Sequence, residues 1–244
     1  MTSVSSSTMS SSGETTSSTT LPGFDWVLLV AVVGIIAASV RAIAFTPMEV
    51  LQGMAQKTLY IHVPAAIISL YMAVVPTAIV SALYLWLKDD RLDRIAESLA
   101  EIGLLFLSVV LCTGPLWAKP IWGTWWVWDA RLTSTLFLWF VLVGYLVLRG
   151  AVDQREERAR LSAVVASLAG LLVPFIHLTV YLFNTLHPQP LLLKPDITNP
   201  SMSPEMTRSF LWSLTAFSLF YVALVRSRYQ WASVRDAMQL RDDQ

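Results

Sequence analysis

The chain has 244 residues, of which 55% are hydrophobic and 14% are charged, and its 17 acidic side chains balance its 17 basic ones. This composition lies far outside the range of soluble globular proteins and gives no excess of positive charge for binding nucleic acid. It predicts an all-α integral membrane protein.

The first 23 residues are dominated by Ser and Thr and contain no Lys or Arg. We expect a disordered tail here rather than a signal peptide, because a signal peptide begins with a basic region. Six apolar stretches follow, each long enough to cross about 30 Å of hydrocarbon. These predicted spans cover residues 24–45, 62–87, 98–118, 131–149, 161–183 and 207–226, within a membrane domain of residues 24–228.

Basic residues are distributed unevenly between the two sets of loops. Eleven of the 17 Lys and Arg residues follow spans two, four and six, at positions 88–94, 149–160 and 226–241. Because loops rich in Lys and Arg stay in the cytoplasm, both termini are predicted to be cytoplasmic, including a C-terminal tail of residues 229–244. The loops after spans one, three and five are predicted to face the outside.

One of these outer loops, between spans three and four, has an unusual composition. Residues 122–131, here called the tryptophan segment, contain four tryptophans, a carboxylate and a guanidinium. Four indoles so close together can form a wall for a planar, largely apolar ligand. The competing interpretation is a belt of tryptophans at the membrane interface, which suits the more scattered Trp26, Trp86, Trp117, Trp139, Trp212 and Trp231.

Two of the three histidines share the predicted outer side, His62 at the mouth of span two and His187 just after span five. Two imidazoles facing each other across a flat apolar cavity suit a metalloporphyrin, whose iron accepts two axial nitrogens. A zinc site fits poorly, since the chain has one Cys and no cluster of ligands at short spacing. The two propionates of haem require cations on the same face, and the candidates are Lys57, Lys119 and Arg131.

Four other residues have structural interpretations beside functional ones. Asp129 directly precedes span four and suits the N-cap of that helix, while Arg131 could anchor the helix end by reaching the headgroups. His177, three residues after Pro174 in span five, is expected to be hydrogen-bonded across helices, with a carbonyl freed by the proline as its partner. Cys112 is interpreted as a small apolar packing residue of span three.

Three sequence motifs resemble signatures of the haem exporter protein C family of the bacterial cytochrome c maturation pathway. Residues 117–134, WAKPIWGTWWVWDARLTS, resemble its tryptophan-rich WWD signature. Residues 60–66, YIHVPAA, and 183–187, FNTLH, resemble its two histidine motifs. The motifs follow one another in the family's order, and the resemblance covers about residues 24–228.

The resemblance implies a protein that holds haem b at the outer face of the bacterial cytoplasmic (inner) membrane and delivers it for covalent attachment to a periplasmic haem chaperone. It implies His62 and His187 as axial ligands of the haem iron. The same resemblance implies a surface where haem meets the chaperone, formed by Trp117, Trp122, Trp125, Trp126, Trp128 and Asp129. The implied partners are an ABC ATPase subunit, a membrane permease subunit and a small single-span accessory protein, besides the membrane lipid.

This interpretation makes the protein a binding and delivery factor rather than an enzyme, because the covalent chemistry belongs to haem and chaperone. The sequence contains no Gly-rich phosphate loop, so ATP hydrolysis is assigned to a partner. Two alternatives stay open, a haem-transporting permease subunit and an electron-carrying membrane cytochrome b. The latter is disfavoured because both candidate ligands lie at one membrane face rather than within the spans.

Overall fold

The computed structural model describes residues 24–187 and 202–242, and within these ranges the chain is helical and forms no strand. The expected Ser/Thr-rich tail, residues 1–23, lies outside the described residues. The α-helices are α1 (Trp26–Val40), α2 (Leu59–Ile67), α3 (Val75–Leu87), α4 (Asp90–Trp122), α5 (Ala130–Ala151), α6 (Arg155–Leu182) and α7 (Pro204–Asp242). A π-helical stretch, Arg41–Phe45, extends α1; a 3-10 turn, Met54–Thr58, leads into α2; and a second π-helical stretch, Ile68–Val74, joins α2 to α3.

Six helical stretches in the described part of the chain are long and apolar enough to cross a membrane, which confirms the predicted number and order of spans. They are Trp26–Phe45, Met54–Leu87, Asp90–Trp122, Ala130–Ala151, Arg155–Leu182 and Pro204–Met238. The second and third begin earlier than predicted, at Met54 and Asp90 instead of residues 62 and 98. The last helix, α7, continues through residues 229–242 of the predicted C-terminal tail.

Charged side chains explain why α4 begins so early. Asp93 and Glu97 in its first turns are buried. Arg149 of α5 donates to both carboxylate oxygens of Asp93, at 2.6 and 2.9 Å, and to Glu97 at 3.1 Å. Arg228 and Arg235 of α7 donate to Glu97 as well, at 3.2 and 2.8 Å. These five residues, here called the ion cluster, compensate one another's charge, so a helical segment rich in acids can still pack in the bundle.

The helices of the second to fifth spans form the centre of the bundle. Helix α3 packs on α6 and α4, and α5 packs on α6, whereas α1 packs mainly on α7 at the periphery. Leu107, Leu138 and Ile176, on three of these helices, are fully buried in one shared core. This shared core holds the central helices together.

Two expectations about residues inside the spans need correction. Cys112 lies at the exposed surface of α4 and does not pack in the core. His177 is hydrogen-bonded across helices as expected, but its partner is a hydroxyl and not a carbonyl freed by Pro174: Nδ1 lies 2.8 Å from the Tyr71 hydroxyl. Tyr71 belongs to the π-helical stretch Ile68–Val74, whose wider turn places this side chain beside α6.

Candidate functional site

Three segments that connect helices meet at the end of the bundle opposite the ion cluster. Gln52, between the first two spans, accepts a hydrogen bond from the indole N–H of Trp117 on α4 at 3.1 Å. Leu186, just after α6, donates its backbone N–H to Asp129 at 3.3 Å. Segments that are far apart in the sequence are thereby brought side by side.

His62 lies in α2, inside the spanning stretch Met54–Leu87 and not at its mouth as predicted. It is held against one face of α4. Its side chain is nearly buried, since the residue is only 8% exposed. Nδ1 lies 3.0 Å from the Thr113 hydroxyl oxygen, and the ring meets the indole of Trp117 edge-on with 5.8 Å between the centroids. A Cβ added at Gly114 would lie 3.3 Å from Cε1 of the imidazole, so Gly114 leaves room for the ring. The imidazole is therefore fixed in position by α4.

The tryptophan segment begins in a helix and not in a loop as predicted. Helix α4 continues through Trp122, so Trp117, Lys119 and Trp122 belong to its last two turns. Gly123 then ends the helix with φ at 75°, a left-handed conformation that glycine adopts without strain, and its N–H donates to the Lys119 carbonyl at 3.0 Å. The loop proper is the short stretch from this glycine to Asp129.

The four indoles of the tryptophan segment differ in exposure. Trp128 and Trp125 are 76% and 55% exposed, and Trp122 is 39% exposed. Trp126 is half-buried and packs edge-on against Trp128, with ring centroids 5.8 Å apart. The segment therefore has an inner side, nearer the bundle, and an outer side that is open to another molecule.

Asp129 makes two connections at once. One carboxylate oxygen accepts the Leu132 N–H at 2.8 Å, which confirms the predicted N-cap of the fourth span, here helix α5. The other oxygen accepts the Leu186 N–H at 3.3 Å. Because Leu186 directly precedes His187, the same carboxylate that starts α5 also restrains the second histidine.

His187 and Arg131 complete the group. His187 is half-buried, and both it and Arg131 lie near enough to His62 to interact with it electrostatically. The structure thus brings together two histidines that are far apart in the sequence and the tryptophan segment with its Arg131. All of these residues lie at one end of the helix bundle.

The three predicted cations lie in different surroundings. Arg131 has a buried Nη1 atom with no acceptor in the described part of the chain. Lys119 is exposed, donates to the Gly123 carbonyl at 2.9 Å and lies over the Trp125 ring. Lys57 is buried, and its ammonium donates to the carbonyls of Ala42 and Thr46 at the end of the first span. The Lys57 ammonium therefore caps that helix end.

Sequence reasoning missed three residues that hold the site together, namely Gln52, Thr113 and Gly114. Thr113 is 51 positions away from His62 and belongs to no motif that the sequence singled out. Its position one turn before Trp117 on the same face of α4 is the signal that could have identified it.

Sequence comparison with known proteins assigns the chain to a family. The family model described as Heme exporter protein C matches residues 8–242. Heme exporter protein C of Escherichia coli K12 is 34% identical over 83% of this chain and 80% of its own length, and that of Haemophilus influenzae is 35% identical over 81% and 79%. A protein of Marchantia polymorpha, named as a cytochrome c biosynthesis ccmC-like mitochondrial protein, is 36% identical over 68% of both chains. The chain belongs to the Heme exporter protein C family.

Proposed function

We propose that this protein binds haem b through axial coordination by His62 and His187 and delivers it for covalent attachment to a haem chaperone during cytochrome c biogenesis. The carrying observation is that His62 of α2, His187 just after α6 and the tryptophan segment lie together at one end of the bundle. The names of the relatives support haem as the cargo and cytochrome c biosynthesis as the process.

The polar groups of the site fit such a cargo. Nη1 of Arg131 and Nε1 of Trp126 are buried donors without an acceptor in the described part of the chain. A buried donor that stays unpaired costs about 1–3 kcal/mol, so a carboxylate that enters the site would relieve that cost. We assign propionate pairing to Arg131, with Lys119 at the rim, and we assign Lys57 to holding the end of the first span.

We further propose that the indoles divide between two tasks according to their exposure. Trp117 and Trp126 face the bundle and form the wall against the porphyrin. Trp122, Trp125 and Trp128 are open to solvent and form the docking surface for the chaperone. Large exposed aromatic side chains are common in the centres of protein interfaces, which supports this division.

The proposed setting is the cytoplasmic (inner) membrane of a bacterium, with both termini in the cytoplasm and the site on the periplasmic face. The distribution of Lys and Arg among the loops supports this orientation. We propose that the protein works in a complex with an ABC ATPase subunit, a membrane permease subunit and a small single-span protein. The word exporter in the relatives' names supports such an assembly.

The ligand assignment is tested by the haem spectrum of purified histidine variants. His62→Ala and His187→Ala are each expected to shift or abolish the Soret band and the low-spin signature of two imidazole ligands. His177→Ala is the matched control. The third histidine is hydrogen-bonded to Tyr71, so this variant should leave the spectrum unchanged. An unchanged spectrum in the His62→Ala/His187→Ala double variant would show that the ligand assignment is wrong.

The division of the indoles is tested on the same preparations by adding the chaperone. Trp128→Ala is expected to keep the haem spectrum and to lower covalent transfer of haem to the chaperone. Trp117→Ala is expected to change the spectrum itself, because this indole touches the ring of His62. Equal effects of the two variants on the spectrum would contradict the division.

A further inference from the structure

We propose that the Thr113 hydroxyl selects the tautomer of His62 that leaves Nε2 free to coordinate iron. Thr113 is thus a positioning residue that acts through the imidazole. The relevance of this tautomer to haem rests on the proposed function, whereas the tautomer itself is a property of the haem-free protein.

The hydrogen bonds of Thr113 determine which partner donates the proton in its contact with His62. A threonine hydroxyl has one proton to donate, and that of Thr113 is used within α4, where Oγ1 lies 2.7 Å from the Val109 carbonyl oxygen. Towards His62 the hydroxyl can therefore only accept. Nδ1 of His62, at 3.0 Å, must be the donor and must carry the proton.

The position of this proton determines which nitrogen can coordinate iron. In the neutral imidazole one nitrogen carries the proton and the other has the lone pair. With the proton on Nδ1, the lone pair belongs to Nε2, the nitrogen on the far side of the ring from Thr113.

Three residues on one face of α4 cooperate in holding this orientation. Thr113, Gly114 and Trp117 lie within about one turn of one another on the face of α4 that meets His62, so they form a continuous strip. Gly114 provides space, since any Cβ there would meet Cε1 at 3.3 Å, and Trp117 packs edge-on against the ring. The strip restricts rotation of the imidazole, so one nitrogen faces α4 and the other faces away.

The surroundings of His177 differ from those of His62 in this respect. Its Nδ1 lies 2.8 Å from the hydroxyl of Tyr71, which can either donate or accept. Such a partner does not choose between the two tautomers. The arrangement around His62 is therefore specific, and it matches the usual device by which a protein fixes a metal-binding imidazole through its other nitrogen.

The test is ¹⁵N NMR of the haem-free protein labelled at histidine, in detergent micelles. The chain has 3 histidines, so the signals of His62 can be identified by their loss in His62→Gln. In the native protein His62 is expected to show protonated Nδ1 and unprotonated Nε2. Thr113→Val, which keeps the side-chain shape and removes the acceptor, is expected to lose this preference, and Thr113→Ser is expected to restore it.

Thr77→Val is the matched control. Thr77 makes the same hydrogen bond to a carbonyl of the preceding turn, Ala73 at 2.8 Å, and lies in α3. This variant should leave the His62 signals unchanged. An Nε2–H tautomer in the native protein, or signals that do not change in Thr113→Val, would overturn the inference.

Haem titration of the same variants separates this inference from the proposed function. Loss of a partner that orients a metal ligand typically weakens binding by about 10–100-fold, and we expect a decrease of that order in Thr113→Val with recovery in Thr113→Ser. An unchanged affinity in Thr113→Val would overturn the positioning role. If the tautomer behaves as expected but His62→Ala binds haem with an unaltered spectrum, then the ligand assignment fails and the tautomer assignment stands.

Discussion

Asp129 is the residue on which the geometry of the second histidine depends. Its two carboxylate oxygens are used separately, one for the start of α5 and one for the Leu186 N–H 57 positions away. An oxygen-bearing residue at the N-cap needs only one of these bonds. The second bond is therefore a tertiary contact, and it fixes the segment that carries His187 to the tryptophan segment.

Asp129→Ser separates the two bonds, because serine is as good an N-cap as aspartate but has a single oxygen. We expect thermal stability to fall by no more than the loss of one hydrogen bond, since the cap of α5 is kept. One hydrogen bond contributes about 0.5–1.5 kcal/mol, so we expect haem affinity to fall roughly two- to tenfold. Differential scanning fluorimetry and haem titration measure the two effects.

The control for Asp129→Ser is Asp89→Ser. Asp89 caps α4 at the other end of the bundle, where its carboxylate accepts the Arg91 N–H at 2.8 Å. This variant should leave haem affinity unchanged. If haem bound equally well to Asp129→Ser and to the native protein, the carboxylate would have no part in placing His187.

At the scale of the elements, small residues determine how closely the helices approach. A Cβ built on Gly103 of α4 would lie 2.8 Å from Cβ of Ala73, closer than real Cβ atoms come. A Cβ built on Gly170 of α6 would overlap Cβ of Ala78 on α3. In membranes helices associate by van der Waals packing between such small side chains. The central pair α3 and α6 therefore depends on the absence of a side chain at position 170.

Gly170→Ala is expected to push α3 and α6 apart and to destabilise the protein by about 1–3 kcal/mol, the usual cost of overpacking. Gly144→Ala is the matched control, because a Cβ at Gly144 of α5 would meet nothing within 4 Å. Thermal unfolding in detergent should show a lower midpoint for the first variant and an equal or higher one for the second. Equal midpoints for the two variants would contradict close packing at Gly170.

The sequence predicts the number and order of the spans well, because long apolar stretches have few other uses. It predicts their ends poorly for a physical reason. Hydropathy treats Asp93 and Glu97 as residues outside the membrane, whereas Arg149 and Arg235 neutralise them and allow α4 to extend past them. These ion pairs join different helices, so a local pattern does not reveal them.

The residues of the candidate site divide in the same way, into those that a local pattern reveals and those that only helix packing reveals. Both histidines and the tryptophan segment stand out through composition and motif, and the cap formed by Asp129 follows from its place before an apolar stretch. Thr113 and Gly114 do not stand out, since their role comes from how α2 lies against α4. Spacing along α4 places Thr113 on the same face as Trp117, but only the packing of α2 on α4 shows that this face meets His62.

At the scale of the whole molecule, the two ends of the bundle carry different charged and titratable groups. One end holds the ion cluster, in which Arg149, Arg228 and Arg235 pair with acids. The other end holds the two histidines, with Arg131 and the tryptophan segment. Acidic partners contribute little to the topology rule, which counts Lys and Arg. The pairing within the cluster therefore does not weaken the expectation that this end faces the cytoplasm.

Cysteine labelling tests this orientation directly. In a Cys112→Ser background, we expect Leu51→Cys, at a position that is 91% exposed beside the candidate site, to react with a membrane-impermeant maleimide in intact spheroplasts. Asp153→Cys, at an exposed position between α5 and α6, should react only after the membrane is permeabilised. With six spans, these two connections lie on opposite sides of the membrane. The labelling result at one position therefore predicts the result at the other. The reverse pattern would put the histidines on the cytoplasmic face, where a periplasmic chaperone could not reach them, and it would exclude delivery by the proposed route while leaving haem binding intact.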